Sequence, residues 1–177
     1  MVGGPLGALI GAAVGHNFDQ DDQKTVEGPS AAESRHAQTT FIMTAFQVMG
    51  YLAKSDGRVS EQEIATARTI MDRMQLSTNQ RRAAIDYFTE GKQSGFAVDT
   101  ALDAFQSAYH HRSAPVQPWF EALLAVAYAD GQLHSQTHAR LLHIAERLGI
   151  ARLQFEALHT LFRAQRWTQQ QRYGHQS

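Results

Sequence analysis

Apolar side chains recur three and four residues apart along most of the 177-residue chain, and no segment alternates apolar and polar residues over the length of a strand. Most of these apolar series begin near a helix-capping residue or a proline and end near a glycine. The pattern predicts an all-α fold. Its helices are expected over about 31–55, 61–74, 78–91, 98–108, 116–129, 135–148 and 151–163, the first of them behind a capping box formed by Ser30 and Glu33.

One phrase occurs twice in the chain. SDGRVSEQEI at 55–64 and ADGQLHSQTH at 129–138 share a small residue, Asp-Gly, a spacer, an aliphatic residue and a polar helix start. The same 74-residue shift aligns Met49 with Leu123 and Ile70 with Ile144. We therefore expect two pseudo-repeated helix–corner–helix–helix units that pack their apolar faces into one core.

The Asp-Gly corners and the helix start beside the first of them carry the candidate metal ligands Asp56, Glu61, Glu63 and Asp130. Carboxylate oxygens are the ligands that a hard divalent cation such as Ca²⁺ or Mg²⁺ prefers. However, glycine follows the first Asp directly, unlike the spacing of an EF-hand loop, and Thr137 stands in the second unit where the first has Glu63. A divalent cation is one interpretation of these residues.

Helix capping is the other interpretation, and it explains more of the pattern. Gly57 and Gly131 suit the left-handed position after a helix end. Ser60 and Glu63 form a capping box for the following helix. In this interpretation the corners have a structural role and bind no cofactor.

The first 18 residues, MVGGPLGALIGAAVGHNF, contain no Asp, Glu, Lys or Arg. A helix would align Gly3, Gly7, Gly11 and Gly15 as a stripe of the kind through which membrane helices dimerise. We interpret residues 1–18 as part of a transmembrane helix whose first half lies upstream of Met1. A flexible Gly/Ala leader is the alternative.

Composition divides the rest of the chain. Residues 19–33 are polar and are predicted to be a linker, residues 34–165 form the helical domain, and the Gln-rich residues 166–177 are predicted to be a disordered tail.

Charge and residue usage argue against several classes of function. The net charge of −1 gives no reason to expect nucleic-acid binding, and the absence of cysteine excludes disulfides and thiolate chemistry. The nine histidines show no third metal ligand at a recognisable spacing. No nucleophile-elbow phrase is present. We therefore expect no catalytic residue.

The two segments FIMTAFQVMGYLAKSDGRVSEQEIATARTIMDRMQLS and AVAYADGQLHSQTHARLLHIAERLGIARLQFE resemble the halves of a TerB-like domain, and GGPLGALIGAAVGHNFD resembles the transmembrane segment of the DjlA family of DnaJ-like membrane co-chaperones. The resemblance implies a dimerising anchor in the bacterial inner membrane and a domain facing the cytoplasm. It also implies a C-terminal J domain that acts on an Hsp70 partner through His-Pro-Asp.

This sequence contains no His-Pro-Asp, so we expect either a fragment of a co-chaperone or a relative without the J domain. Asp19, Asp21 and Asp22 do not follow the positive-inside rule, so the orientation rests on the resemblance. TerB-type proteins also suggest an alternative function, a divalent-metal-binding domain of tellurite resistance or stress response. The resemblance places its ligands at Asp56, Glu63 and Asp130.

Overall fold

The structure, a computed structural model, describes residues 29–55, 57–109 and 113–174. These ranges contain helices and turns and no strand, which confirms the all-α fold. In chain order the helices are α1 (Pro29–Ala53), α2 (Glu61–Arg73), α3 (Thr78–Gly91), α4 (Val98–Ser107), α5 (Val116–Ala127), α6 (Ser135–Arg147) and α7 (Arg152–Gly174).

The helix boundaries repeat with the 74-residue shift found in the sequence. The ends of α1 and α5, both ends of α2 and α6, and the starts of α3 and α7 are all related by it. Gly57 and Gly131 occupy equivalent corner positions with φ values of 95° and 89°. The structure therefore confirms two repeated units, α1–α3 and α5–α7, with α4 between them.

Aromatic residues from both units fill the shared core. The rings of Phe105 and Trp119 stack with centroids 4.7 Å apart, and Phe41 meets Phe105 edge-on at 6.0 Å. The indole Nε1 of Trp119 donates a hydrogen bond to Thr44 Oγ1 at 3.2 Å, and that hydroxyl donates to the Thr40 carbonyl at 2.7 Å. These contacts fix the start of α5 against the middle of α1, because a buried indole N–H needs an acceptor.

The two corners lie at the same end of the domain. Trp119 near the start of α5 contacts Thr44, and Thr137, just beyond the corner that follows α5, contacts Ser55 at the end of α1. Helices α1 and α5 therefore run in the same direction, with both Asp-Gly corners at their C-terminal ends.

The third helices of the two units pack differently. Helix α3 meets α1 at Gly50 and Gly91, where the two backbones are in close contact. The equivalent positions of the second unit are Leu124 and Gln165. Since both carry side chains, α7 cannot approach α5 as closely as α3 approaches α1.

Two predicted boundaries are wrong. Helix α1 begins at Pro29, inside the predicted linker 19–33, because proline suits the first helical turn and Ala31 is buried. Helix α7 continues to Gly174, so residues 166–174 of the predicted disordered tail are helical. Gln and Arg, which make up most of this extension, are good helix formers, and extending a helix that packing has already nucleated costs little.

Candidate functional site

The first corner is closed by a capping box. The backbone N–H of Ser60 donates to Glu63 Oε1 at 2.8 Å, and the N–H of Glu63 donates to Ser60 Oγ at 3.1 Å. Glu63 is 7% exposed. One of its two carboxylate oxygens is therefore engaged by the start of α2, as the capping interpretation predicts.

In the second corner the aspartate holds the turn. Asp130 Oδ1 accepts a hydrogen bond from the N–H of Gln132 at 3.1 Å, and Oδ2 lies 3.2 Å from Nε2 of His134. His134 is the N-cap residue of α6 but makes no side-chain cap. Both Asp130 oxygens thus have partners inside the corner itself.

A pair of hydroxyl groups joins the end of the first unit to the second. Ser55 Oγ donates to the Leu52 carbonyl at 2.6 Å, which leaves the Thr137 hydroxyl as the donor in the 2.5 Å Ser55–Thr137 hydrogen bond. Ser55 and Thr137 are both 5% exposed. Threonine at 137 therefore fills a buried position between the units, which a carboxylate would occupy at a cost in desolvation.

An arginine makes a second connection at the same end. Arg140 Nη1 donates to the Tyr51 carbonyl at 2.5 Å, and its guanidinium lies 4.0 Å from the centroid of the Tyr51 ring. The carbonyls in the last turn of a helix lack partners within the helix, and a cation there is favoured by the helix dipole. Arg140 of α6 thereby completes the end of α1.

The predicted metal ligands divide into two groups. Asp56 lies outside the described residues, as do Gly3, Gly7, Gly11 and Gly15 of the proposed dimerisation stripe. Glu63 and Asp130 are described, and each bonds a backbone N–H of its own corner. Over the described ranges, no three His, Asp or Glu side chains form a group that could hold a metal ion. The divalent cation stays a prediction.

The described histidines have distinct surroundings. His143 is exposed and lies 2.7 Å from Asp99 Oδ1 on α4. His159 on α7 is 9% exposed, and its ring accepts or donates a hydrogen bond with the Tyr128 hydroxyl at 2.8 Å. The spacing of His159 from Phe155 and Phe162 places all three on one helix face, so its burial could have been inferred from the sequence.

Glu121 is a second polar residue whose burial was missed. It lies on α5 with 2% of its surface exposed, and Gln117 Nε2 donates to its Oε1 at 3.2 Å. Its Oε2 has no hydrogen-bond partner among the described residues. Burial raises the pKa of Glu121 above its ordinary value of 4.5, and the Gln117 hydrogen bond partly opposes that rise. Glu121 is flanked by apolar residues on a helix, but this context alone did not predict that its carboxylate would be buried.

None of the helices in the described part of the chain combines the length and apolar character needed to cross a membrane. The family model "Co-chaperone DjlA transmembrane domain" matches residues 1–37, and the model "Tellurite resistance protein TerB" matches residues 43–160.

Curated proteins named Co-chaperone protein DjlA are also similar to the chain. The chain is 41% identical to Co-chaperone protein DjlA of Yersinia pestis over 159 residues, which cover 90% of this chain and 57% of the relative. It is 38% identical to the proteins of the same name in Salmonella typhimurium and Escherichia coli K12 over 156 residues, 88% of this chain and 57% of each relative. No solved structure matches the chain significantly. The chain belongs to the TerB family, and ahead of its TerB domain it carries a segment of the DjlA transmembrane type.

Proposed function

We propose that this chain is the membrane-tethered interaction domain of a DjlA-type Hsp70 co-chaperone, and that it positions partners instead of catalysing a reaction. The observation that carries the proposal is the course of α1. The match to the DjlA transmembrane domain ends at residue 37 and the TerB match begins at residue 43, and α1 (Pro29–Ala53) runs through both. One helix therefore leads from the anchor-type segment into the domain.

The second half of α1 is fixed inside the core. Phe46, Val48 and Met49 are each 0% exposed, and Leu52 is 1% exposed. A helix so buried does not rotate or slide independently of the domain, because protein interiors are close-packed. A membrane anchor that precedes α1 in the chain would therefore hold the TerB domain close to the bilayer.

The chain spans 57% of the length of the curated relatives that it matches. Any partner of such a longer protein is therefore assigned here only as part of this proposal. We assign Hsp70 stimulation to a J domain in a longer protein, since these 177 residues contain no His-Pro-Asp. In an assay of Hsp70 ATPase activity, the chain alone should give no stimulation. Stimulation by this chain alone would overturn the division of roles.

Localisation at the bacterial inner membrane, with the domain facing the cytoplasm, can be tested by cysteine labelling because the natural sequence has no cysteine. Ser94 is exposed in the turn between α3 and α4, so S94C offers a single reactive site. A membrane-impermeant maleimide should label S94C in inverted inner-membrane vesicles and leave it unlabelled in intact spheroplasts. The opposite pattern would place the domain in the periplasm. The cysteine-free parent chain is the control.

Self-association in the membrane is assigned to the glycine stripe Gly3, Gly7, Gly11 and Gly15. Replacing Gly7 and Gly11 by leucine should abolish dimerisation measured by energy transfer in vesicles, because the helices could no longer approach closely. Ala13→Leu, away from the stripe on a helix, is the matched control and should still dimerise. Unchanged dimerisation of the double variant would refute this part of the proposal.

A further inference from the structure

His159 lies in a cluster of rings that joins α7 to the rest of the domain. The centroid of its ring lies 5.4 Å from that of Tyr128 at the end of α5 and 5.5 Å from that of His138 on α6. Phe155, one turn earlier on α7, stacks on it with centroids 6.1 Å apart. The Tyr128 hydroxyl lies 2.8 Å from the ring nitrogen Nδ1 of His159. This cluster, Tyr128, His138, Phe155 and His159, is called the His159 cluster below.

The charged groups around His159 mostly oppose a positive charge on it. Burial is the largest cause that lowers the pKa of His159 from its ordinary value of 6.5, followed by the charge of Arg163 and then His138. Glu156 is the one group among these neighbours that acts in the opposite direction. From α5 the group that faces His159 is the Tyr128 hydroxyl, whose pKa is raised by burial, so it stays neutral at physiological pH.

Helix α7 is held against the domain by a small set of side chains. Its buried side chains in the described part of the chain are Phe155, Leu158, His159 and Phe162. It lacks the glycine contact that brings α3 against α1, because Leu124 and Gln165 take the equivalent positions. Loss of one of four buried side chains therefore weakens a large part of its attachment.

We propose that the His159 cluster is a pH-sensitive latch, in which protonation of His159 releases α7 from α5 and α6 while the remaining helices stay folded. The inference goes beyond the proposed function and does not depend on membrane tethering. A protonated imidazole in this cluster would face the Arg163 guanidinium and His138 within a buried ring cluster, and opening α7 would return it to water.

The direction of the pH dependence follows from linkage. At pH values above the ordinary pKa, His159 is neutral in both the closed and the open state, and closure has its full stability. As the pH falls through 6.5 and below it, the open state binds a proton that the closed state disfavours. Closure of α7 is therefore progressively lost on acidification, by up to about tenfold in the opening equilibrium per pH unit for one proton.

Hydrogen exchange of the full chain in detergent tests the latch, with rates corrected for the intrinsic pH dependence of exchange. Between about pH 7.5 and about pH 5.5, protection of α7 amides should fall by up to about tenfold, while α3 amides keep theirs. His159→Gln can still bond the Tyr128 hydroxyl but does not titrate, so its α7 should keep the same protection at both pH values. His143→Gln, an exposed histidine on α6, is the control and should respond as the natural chain does.

Equal protection of α7 at both pH values in the natural chain would overturn the proposal, as would an undiminished pH response in His159→Gln. If His159→Gln does not fold, His138→Gln provides the test. Removing the His138 charge relieves one cause of the lowered His159 pKa in the closed state, so acid should open α7 less, and at a lower pH, than in the natural chain. An unchanged or higher opening pH in His138→Gln would also overturn it.

Discussion

Gly50 of α1 and Gly91 of α3 lie at the point where the two helix backbones touch. A Cβ atom at Gly91 would lie 2.7 Å from the carbonyl carbon of Gln47, and one at Gly50 would lie 3.0 Å from the carbonyl carbon of Phe88. In both cases the carbonyl oxygen is closer still. The two helices therefore hold their spacing because neither carries a side chain at this contact.

We predict that Gly91→Ala lowers the free energy of unfolding by about 3 kcal/mol, since the helices must separate to admit the methyl group. Helix propensity alone would raise it by about 1 kcal/mol. Gly95→Ala is the control, because a Cβ there meets nothing within 4 Å and strains only a backbone at φ 79°. Urea unfolding of both variants measures the difference. Equal losses of unfolding free energy would contradict the close backbone contact between α1 and α3.

The turns after α2 and α6 carry different residues at their left-handed position. Gln75 adopts φ 56° where the equivalent Gly149 adopts φ 75°, and the following residue in each turn bonds the carbonyl five positions earlier. Because a left-handed conformation strains a side chain, Gln75→Gly should raise the free energy of unfolding by about 1 kcal/mol. Gly149→Ala should lower it by a similar amount. Urea unfolding that shows no gain for Gln75→Gly would count against this geometry.

The Ser55–Thr137 hydrogen bond predicts an energetic coupling between the two units. Thr137→Val keeps the side-chain shape but removes the donor, and it should cost about 1 kcal/mol of unfolding free energy. In a double-mutant cycle with Ser55→Ala, the two changes should show a coupling of at least about 0.5 kcal/mol. Thr100→Val on the exposed face of α4 is the control. Additive losses would mean that the hydroxyls do not interact.

Glu121 Oε2, which has no hydrogen-bond partner among the described residues, predicts a stabilising substitution with a defined pH dependence. Because its pKa is raised in the folded state, its neutral form contributes stability below the ordinary value of 4.5, and that stability is lost as the pH rises. Glu121→Gln should therefore raise the free energy of unfolding at neutral pH by about 1 kcal/mol, with a smaller gain in acid. The exposed Glu146→Gln should have no such effect. A loss of stability at neutral pH would show that the charged form is satisfied.

The sequence predicted the starts of α2 and α3 correctly, because a local capping signal is present at each. Ser60 and Ser77 cap α2 and α3 with the expected capping boxes, so these helices start one residue after the predicted caps. The extension of α7 to Gly174 was not predicted. A Gln-rich composition is compatible both with a disordered tail and with the extension of a helix whose earlier part is packed.

The candidate site was harder to predict than the helices. The role of Asp130 follows from its place in the turn, whereas the Ser55–Thr137 contact joins residues 82 positions apart that no spacing rule connects. Glu121 is the equivalent of Gln47, a half-buried residue that donates to Glu90 at 2.9 Å. In the second unit Ala164 takes the place of Glu90. Comparing the two repeats therefore does not predict which residues surround Glu121.

Membrane tethering through the segment ahead of α1 is the central claim of the proposed function, and vesicle flotation tests it most directly. The full chain should float with lipid vesicles and resist extraction by alkaline carbonate. A chain that starts at Pro29 keeps α1–α7 and should remain in the aqueous fraction with an unchanged helical circular dichroism spectrum. Carbonate extraction of the full chain, or flotation of the shortened one, would contradict the account.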